Sequence, residues 1–277
     1  MREKKQPLSV YLLSKQVRQL IELNKRIDGR DLYSFREMRI KTGIVEKADG
    51  SAVVELGKTM VVAGVKFEIG APFPDSPDEG ILIVEGEILP LASVSEEPGP
   101  PTEEEIELSR VIDRGIRGAK VINLKDLAIK PGEKVLKVFV DFNVMNDAGN
   151  VIDASNIAVI SALLTAKYPD IKELKGGRDI NEASRVQLPT HNIPISVTFA
   201  NLFGKLVVDP ITEEEVIADA RLTLTLTSEE RICAVQKGGS GTLTFNQLFE
   251  ALNIARRVSN DIRKLVIRET GVRHGQE

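Results

Sequence analysis

Hydrophobic and polar positions follow two periods along this chain, and the changes from one to the other mark its elements. In LSVYLLSKQVRQLIELNKR, Leu12, Leu13, Val17, Leu20 and Ile21 recur at helical spacing, which predicts an amphipathic helix ending near Asp28-Gly29. From Phe35 to Glu68 the pattern becomes that of strands. MRIKTGIVEK, SAVVELGK and TMVVAGVKFEI are rich in Val and Ile and are parted by Asp49-Gly50, a hairpin signal, and by Gly57-Lys58. Gly70 to Gly80 holds too many prolines for a regular element and reads as a surface loop. ILIVEGEILPLASV is a further strand, broken by EPGPP, and Thr102 with Glu105 forms a capping box that opens a helix. KVLKVFVDFNVMN alternates as a strand, and Asp153 to Pro169 reads as a buried helix. The polar stretch through Gly176-Gly177 to about His191 reads as a linker or long loop. Four strand-like runs follow: ISVTFANLF, KLVVD, ARLTLTLT and RICAVQK. A last helix starts at Thr244, with Gln247 completing its capping box and Leu248, Leu252, Ala255, Ile262 and Val266 forming its apolar stripe.

Each half places antiparallel strands before helices, which predicts an α+β protein with two similar lobes and not a doubly wound parallel sheet. The expected organisation is an N-terminal helix and extension over 1–30, a first lobe over 31–168 and a second over 192–270. The one cysteine, Cys233, excludes a disulfide framework and sits in a strand-like run where core packing is its expected role. Two histidines, His191 and His274, are too few for a zinc site built on His and Cys, and no metal or cofactor is expected. No apolar run reaches the roughly 20 residues that cross a bilayer, and MREKKQPLS lacks the apolar region of a signal peptide, so a cytoplasmic protein is expected.

The net charge of −4 does not announce a nucleic-acid partner, so any such contact must be a local patch or be shared with a more basic chain. One patch is visible. In IELSRVIDRGIRGAK, Arg110, Arg114 and Arg117 fall within an arc of about 60° at roughly 100° per residue, opposite Leu108, Val111, Ile112, Ile116 and Ala119. These arginines face either water, paired with Glu103, Glu107 and Asp113, or a row of phosphates, which their planar forks suit.

Two turns have the strand-to-helix form that can seat phosphate on free amides. In NDAGNVIDASN no Lys or Arg occurs between Lys137 and Lys167, and Asp153 stands where the helix N-cap is expected, so an acidic cap is the favoured reading there. KGGSGT matches no phosphate fingerprint and reads as a flexible turn. The acidic run DPITEEEVIAD, with Asp209, Glu213, Glu214, Glu215 and Asp219, reads as a solvated loop, with Mg²⁺ binding as the alternative. Asp219 stands apart because it opens a strand and can face a cleft.

RIDGR (26–30), ADGSAVVELGKTMVVAGVKFEI (48–69), EGEILPLA (85–92), the arginine helix and VVDPITEEEVIADARLTLTLT together resemble the RNase PH family. Within it, the chain is most similar to the non-catalytic ring subunits of the archaeal exosome, over about 21–264. The resemblance implies two α/β lobes of the ribosomal protein S5 domain 2-like kind in a six-membered ring around an RNA channel. It also implies a catalytic RNase PH-like partner in a trimer of heterodimers, RNA-binding cap subunits, and single-stranded RNA. Active members remove nucleotides from RNA 3′ ends with inorganic phosphate and carry Gly, Ser or Thr, then Arg at one turn, where this chain has Gly149, Asn150 and Val151. Asp219 matches the family's proposed catalytic acid, but without bound phosphate it is not expected to be catalytic. Arg110 and Arg114, with Arg117 beside them, match the RNA-contacting helix. The expectation is an RNA-gripping subunit without activity of its own. The alternatives are an active phosphorolytic exoribonuclease in a homohexamer and a stand-alone RNA-binding module.

Overall fold

The computed structural model describes residues 8–93 and 99–271, with side chains from residue 12 onward. The first sheet comprises β1 (Met38–Thr42), β2 (Gly50–Leu56), β3 (Thr59–Gly70), β4 (Ile81–Ile88), β5 (Ala128–Lys130) and β6 (Lys134–Asn146). Its strand order is β1-β2-β3-β6-β4, with β5 hydrogen-bonded to β6. Leu56 pairs with Thr59 across Gly57-Lys58, a two-residue hairpin turn. Asp49-Gly50 does not form a hairpin tip: β1 ends at Thr42, which pairs with Ala52, and Gly50 is already the first residue of β2.

β4 and β6 are parallel, Ile81 opposite Lys137 through Ile88 opposite Val144, and parallel neighbours need a crossover. That crossover contains α2 (Glu103–Gly118), where the capping box forms: the Glu105 N–H donates to Thr102 Oγ1 (3.3 Å) and the Thr102 N–H to Glu105 Oε2 (2.7 Å). The Ile88 N–H donates to the other carboxylate oxygen of Glu105 at 2.8 Å, pinning the start of α2 to the end of β4. Burial of Glu105 opposes its ionisation, but the N–H donors of Thr102 and Ile88 outweigh it and hold the carboxyl below its ordinary value.

α3 (Val151–Thr165) is apolar on all sides, the pattern of a core helix, and Val151 to Leu164 are all buried. It packs against β2 and β3 and against β9 (Ile195–Leu202) of a second sheet. That sheet is antiparallel, in the order β10-β9-β11-β12, and its other strands are β10 (Lys205–Val208), β11 (Ala220–Leu226) and β12 (Ile232–Gly238). One continuous cluster of buried side chains draws on both sheets, α2, α3 and α6 (Phe245–Thr270).

Three expectations require correction. α1 (Leu8–Glu22) ends before Asp28-Gly29, because Asn24 adopts φ +56° and the chain turns there. α1 docks on the second sheet through Val17 and Ile21, which pack with Ala200, Leu202 and Val207, whereas Leu12 faces outward. The buried helix begins at Val151 and stops at Thr165, and its expected last residues form β7 (Lys167–Pro169). The segment expected as linker or loop instead holds α4 (Ile171–Lys175) and β8 (Arg185–Gln187), which pairs with β7. Short elements of three to five residues give too little periodicity to read.

Candidate nucleic-acid interface

α2 lies between two edge strands, β4 of the first sheet and β12 of the second. It approaches β12 closely because of a glycine: a Cβ at Gly118 would lie 2.5 Å from the Cys233 carbonyl oxygen. Leu108, Val111, Ile112 and Ile116 are buried beneath it, which leaves Arg110, Arg114 and Arg117 exposed on the other side.

The three arginines do not behave alike. Arg117 pairs with Asp113 at 2.8 Å, one turn back, and donates to the Leu82 carbonyl, which draws it toward β4. There it lines a cavity of about 600 Å³ together with Lys120, Lys125 and His191. Arg114 donates from Nη2 to Gln236 Oε1 of β12 at 2.9 Å and from Nε to the Arg110 carbonyl. The Arg110 guanidinium has no hydrogen-bond or ion-pair partner among the described residues and borders a second cavity of about 600 Å³, with Glu85, Glu87 and Asp141 on its wall. Glu107, a possible neutralising partner in the solvated-face reading, is taken by Arg221 and Gln236 at 2.9 and 2.8 Å. Arg110 and Arg114 thus present guanidinium groups that no carboxylate of this chain neutralises by direct pairing, among the described residues.

The glycine turn is built differently from expectation. Gly149 has φ +88°, and a Cβ on it would fall 2.5 Å from the Thr212 amide nitrogen, so glycine is required twice over. The N-cap of α3 is Asn150, left-handed at φ +55°, and its side chain does not cap the helix. Asp153 lies in the first helical turn. It is fully buried and accepts from the Thr198 N–H (2.9 Å), the Thr198 hydroxyl (2.8 Å) and the Asn150 amide group (2.9 Å). Asp153 therefore ties α3 to β9 and is not the acidic cap. Burial pushes its carboxyl up to about 7 despite those donors.

Nor does the turn lack a neighbouring cation. Arg36, from the segment before β1, donates to the Ala148 and Gly149 carbonyls at 2.8 and 2.9 Å while gripping Asp209 with Nε and Nη2 (2.9 and 2.7 Å). It serves the carbonyl side of the turn and is neutralised there. On the amide side, the Asn150 N–H donates to Glu215 Oε1 at 2.9 Å. Long-range folding supplies both groups, and no local count of charges could show them.

The acidic run also departs from a solvated loop. Asp209 and Glu214 are fully buried, and among the described residues no group of three or more His, Cys, Asp or Glu side chains is placed to hold a metal. Arg26 donates from Nε to Glu214 Oε1 (2.9 Å) and from Nη1 to the Val208 carbonyl (2.7 Å). Arg30 reaches Asp209 Oδ2 at 2.8 Å. RIDGR and VVDPITEEE, far apart in sequence, thus form one ionic joint. Asp219 is exposed and borders an open cavity with Asn201, Thr242, Thr244 and Gln247. KGGSGT packs against it, the Gly241 N–H donating to the Asp219 carbonyl at 2.7 Å, so that turn is a fitted part of the fold.

A six-stranded sheet and a four-stranded sheet share one core, α2 packs against an edge strand of each, and its arginine face lies at that junction. The chain belongs to the 3′ exoribonuclease family, matching its domain 1 over residues 34–169 and its domain 2 over residues 192–258. It is 45% identical over 246 residues to the exosome complex component Rrp42 of Methanopyrus kandleri, covering 89% of this chain and 92% of that protein. It is 42% identical over 254 residues to the protein of the same name from Thermococcus kodakarensis, covering 91% and 93%. Among solved structures it resembles a chain of the Archaeoglobus fulgidus exosome with RNA bound to the active site, at 40% identity and a TM-score of 0.87, over 93% of this chain and 99% of that one. A chain of an archaeal exosome core follows at 37% identity and a TM-score of 0.83, over 94% and 98%.

Proposed function

We propose that this chain is a non-catalytic structural subunit of an exosome ring that degrades RNA from its 3′ end with phosphate. In this reading it alternates with a catalytic RNase PH-like partner in a trimer of heterodimers and completes that partner's active site. RNA-binding cap subunits and single-stranded RNA are its other partners, and the cytoplasm is its setting. The observation that carries the proposal is the pair Arg110 and Arg114, exposed on a helix whose core face is buried and whose start is anchored through Glu105. Guanidinium groups of that kind hold phosphodiesters without reading sequence, which suits general degradation.

Exposed apolar side chains support a ring partner. Phe245 and Phe249 are 80% and 66% exposed one turn apart on α6, and Val235 of β12 is 52% exposed. The lobe boundaries we propose, 31–168 and 192–270, put α2 where the lobes meet, against β4 and β12, while the ionic joint ties the N-terminal extension to the second lobe. Asp219 keeps the family's acid, but the turn reads Gly149-Asn150-Val151, without the family's arginine, which disfavours an active homohexamer.

The deciding experiment compares this chain alone, a catalytic paralogue alone and the co-purified complex, by mass and by phosphate-dependent release of nucleoside diphosphates from RNA. Activity confined to preparations containing the paralogue is expected. Phosphorolysis by this chain alone would overturn the proposal.

A further inference from the structure

We infer that Glu215 holds the anion position of the Gly149-Asn150 turn and so keeps inorganic phosphate off it. The inference rests on the non-catalytic reading and deepens it: the turn lacks the family's arginine, and the chain also fills it with an anion of its own.

The N-terminus of a 15-residue helix favours negative charge, and side-chain capping normally satisfies one of its amides. Here Asn150 turns its side chain away, donating to Asp153 and Asp209 at 2.9 and 2.8 Å, and leaves its own backbone N–H uncapped from within the turn. The acceptor comes instead from α5 (Thr212–Ile217), 65 residues on, as the carboxylate of Glu215. α5 is pressed onto the turn, because the Thr212 amide fills the space beside Gly149. It is also fixed from behind, because the preceding residue, Glu214, is clamped by Arg26. Glu215, itself half-buried, is therefore carried to the turn on an anchored element.

A second donor lies near enough to Glu215 for its charge to act on it. Arg221, at the start of β11, gives Nη2 to Glu107, while its Nε–H is buried without a partner. Its charge favours ionisation of Glu215, whereas burial, Asp147 and Glu104 oppose it. The surroundings of Glu215 thus hold two N–H groups, one already occupied by its carboxylate and one unsatisfied. Removing the Glu215 carboxylate subtracts the charge bound at the turn and frees its amide.

The test is titration of the purified full chain with inorganic phosphate at pH 8, by calorimetry and by ³¹P line broadening, for wild type, Glu215→Gln, Glu215→Ala and Glu215→Ala/Arg221→Met. Wild type should show no saturable binding. Glu215→Ala should bind phosphate at least about tenfold more tightly, the scale expected for one buried charge and one freed donor, and the added Arg221→Met should abolish the gain. Glu215→Gln, which keeps an acceptor on the amide, should fall between. A phosphate-soaked crystal of Glu215→Ala should place the ion on the Asn150 nitrogen. A variant that keeps its fold by circular dichroism but binds phosphate no better than wild type would overturn the inference and leave the proposed function intact. Saturable phosphate on the wild-type turn would overturn it too. A merely structural Glu215 would shift the melting temperature of the variant but not its phosphate affinity.

Discussion

Arg26 and Glu214, 188 positions apart in the chain, meet as a fully buried ion pair, with Nε of the arginine 2.9 Å from Oε1 of the glutamate. The pair joins the segment after α1 to α5, and Arg26 also donates to the Val208 and Asp209 carbonyls. A buried charge left without its partner carries the full desolvation penalty. Arg26→Ala or Glu214→Ala should therefore destabilise the chain by about 3–5 kcal/mol, measured as a shift in the urea midpoint at constant slope. Replacing both with apolar residues of similar volume should cost far less than either single change. Equal losses for single and double replacement would show that the joint does not act as a pair.

The arginine face yields a graded expectation. Arg110→Glu/Arg114→Glu should weaken RNA binding by the assembled ring and lower the slope of log affinity against log salt by about 0.7 for each phosphate no longer held. Arg117→Glu should do less, since Arg117 is already paired with Asp113 and bound to the Leu82 carbonyl. Filter binding across a salt series reads both quantities. Unchanged affinity in the double variant would return this face to solvent.

How much of this is legible in the sequence depends on distance along the chain. Both capping boxes, the Gly57-Lys58 hairpin and the burial of α3 follow from residues within one or two turns of each other, and each is readable. The split among the arginines is not, because it depends on Gln236 and Leu82, which only the fold brings to α2. The same applies to Asp153: the sequence marks an acid near a helix start, but Thr198 of β9 claims it. Arg36, Glu215 and Arg221 carry no local signal, and the run Glu213-Glu214-Glu215 reads as three equivalent surface acids. In the structure Glu214 meets Arg26, Glu215 meets Asn150, and Glu213 is exposed. The resemblance of RIDGR and VVDPITEEE to one family is the only sequence signal that links them.

Asp153 and Glu215 also set an expected pH dependence. Burial, the largest cause in each case, raises both carboxyls to about 7. The folded chain therefore holds protons that the unfolded chain releases near the ordinary values of about 4. The stability these groups contribute is fully present below pH 4 and is lost as pH rises toward 7. Urea midpoints of Glu215→Gln should accordingly depend less steeply on pH between about 4 and 7 than those of wild type. An identical slope in the variant would mean that Glu215 titrates at its ordinary value in the fold.

Gly118 tests whether the seating of α2, and not merely its charge, supports RNA binding. A Cβ there would lie 2.5 Å from the Cys233 carbonyl oxygen, a clash with backbone that no side-chain rotation relieves. Gly118→Ala must push α2 away from β12, at a cost of about 1–3 kcal/mol by analogy with overpacked cores, even though alanine is the better helix former by roughly 1 kcal/mol. The displacement separates Arg114 from Gln236 and moves Arg110 with the helix. RNA affinity of the ring should fall although no charge has changed, with the salt slope reduced less than in Arg110→Glu/Arg114→Glu. A Gly118→Ala chain that is more stable than wild type and binds RNA equally well would show that this close approach has no part in positioning the arginines.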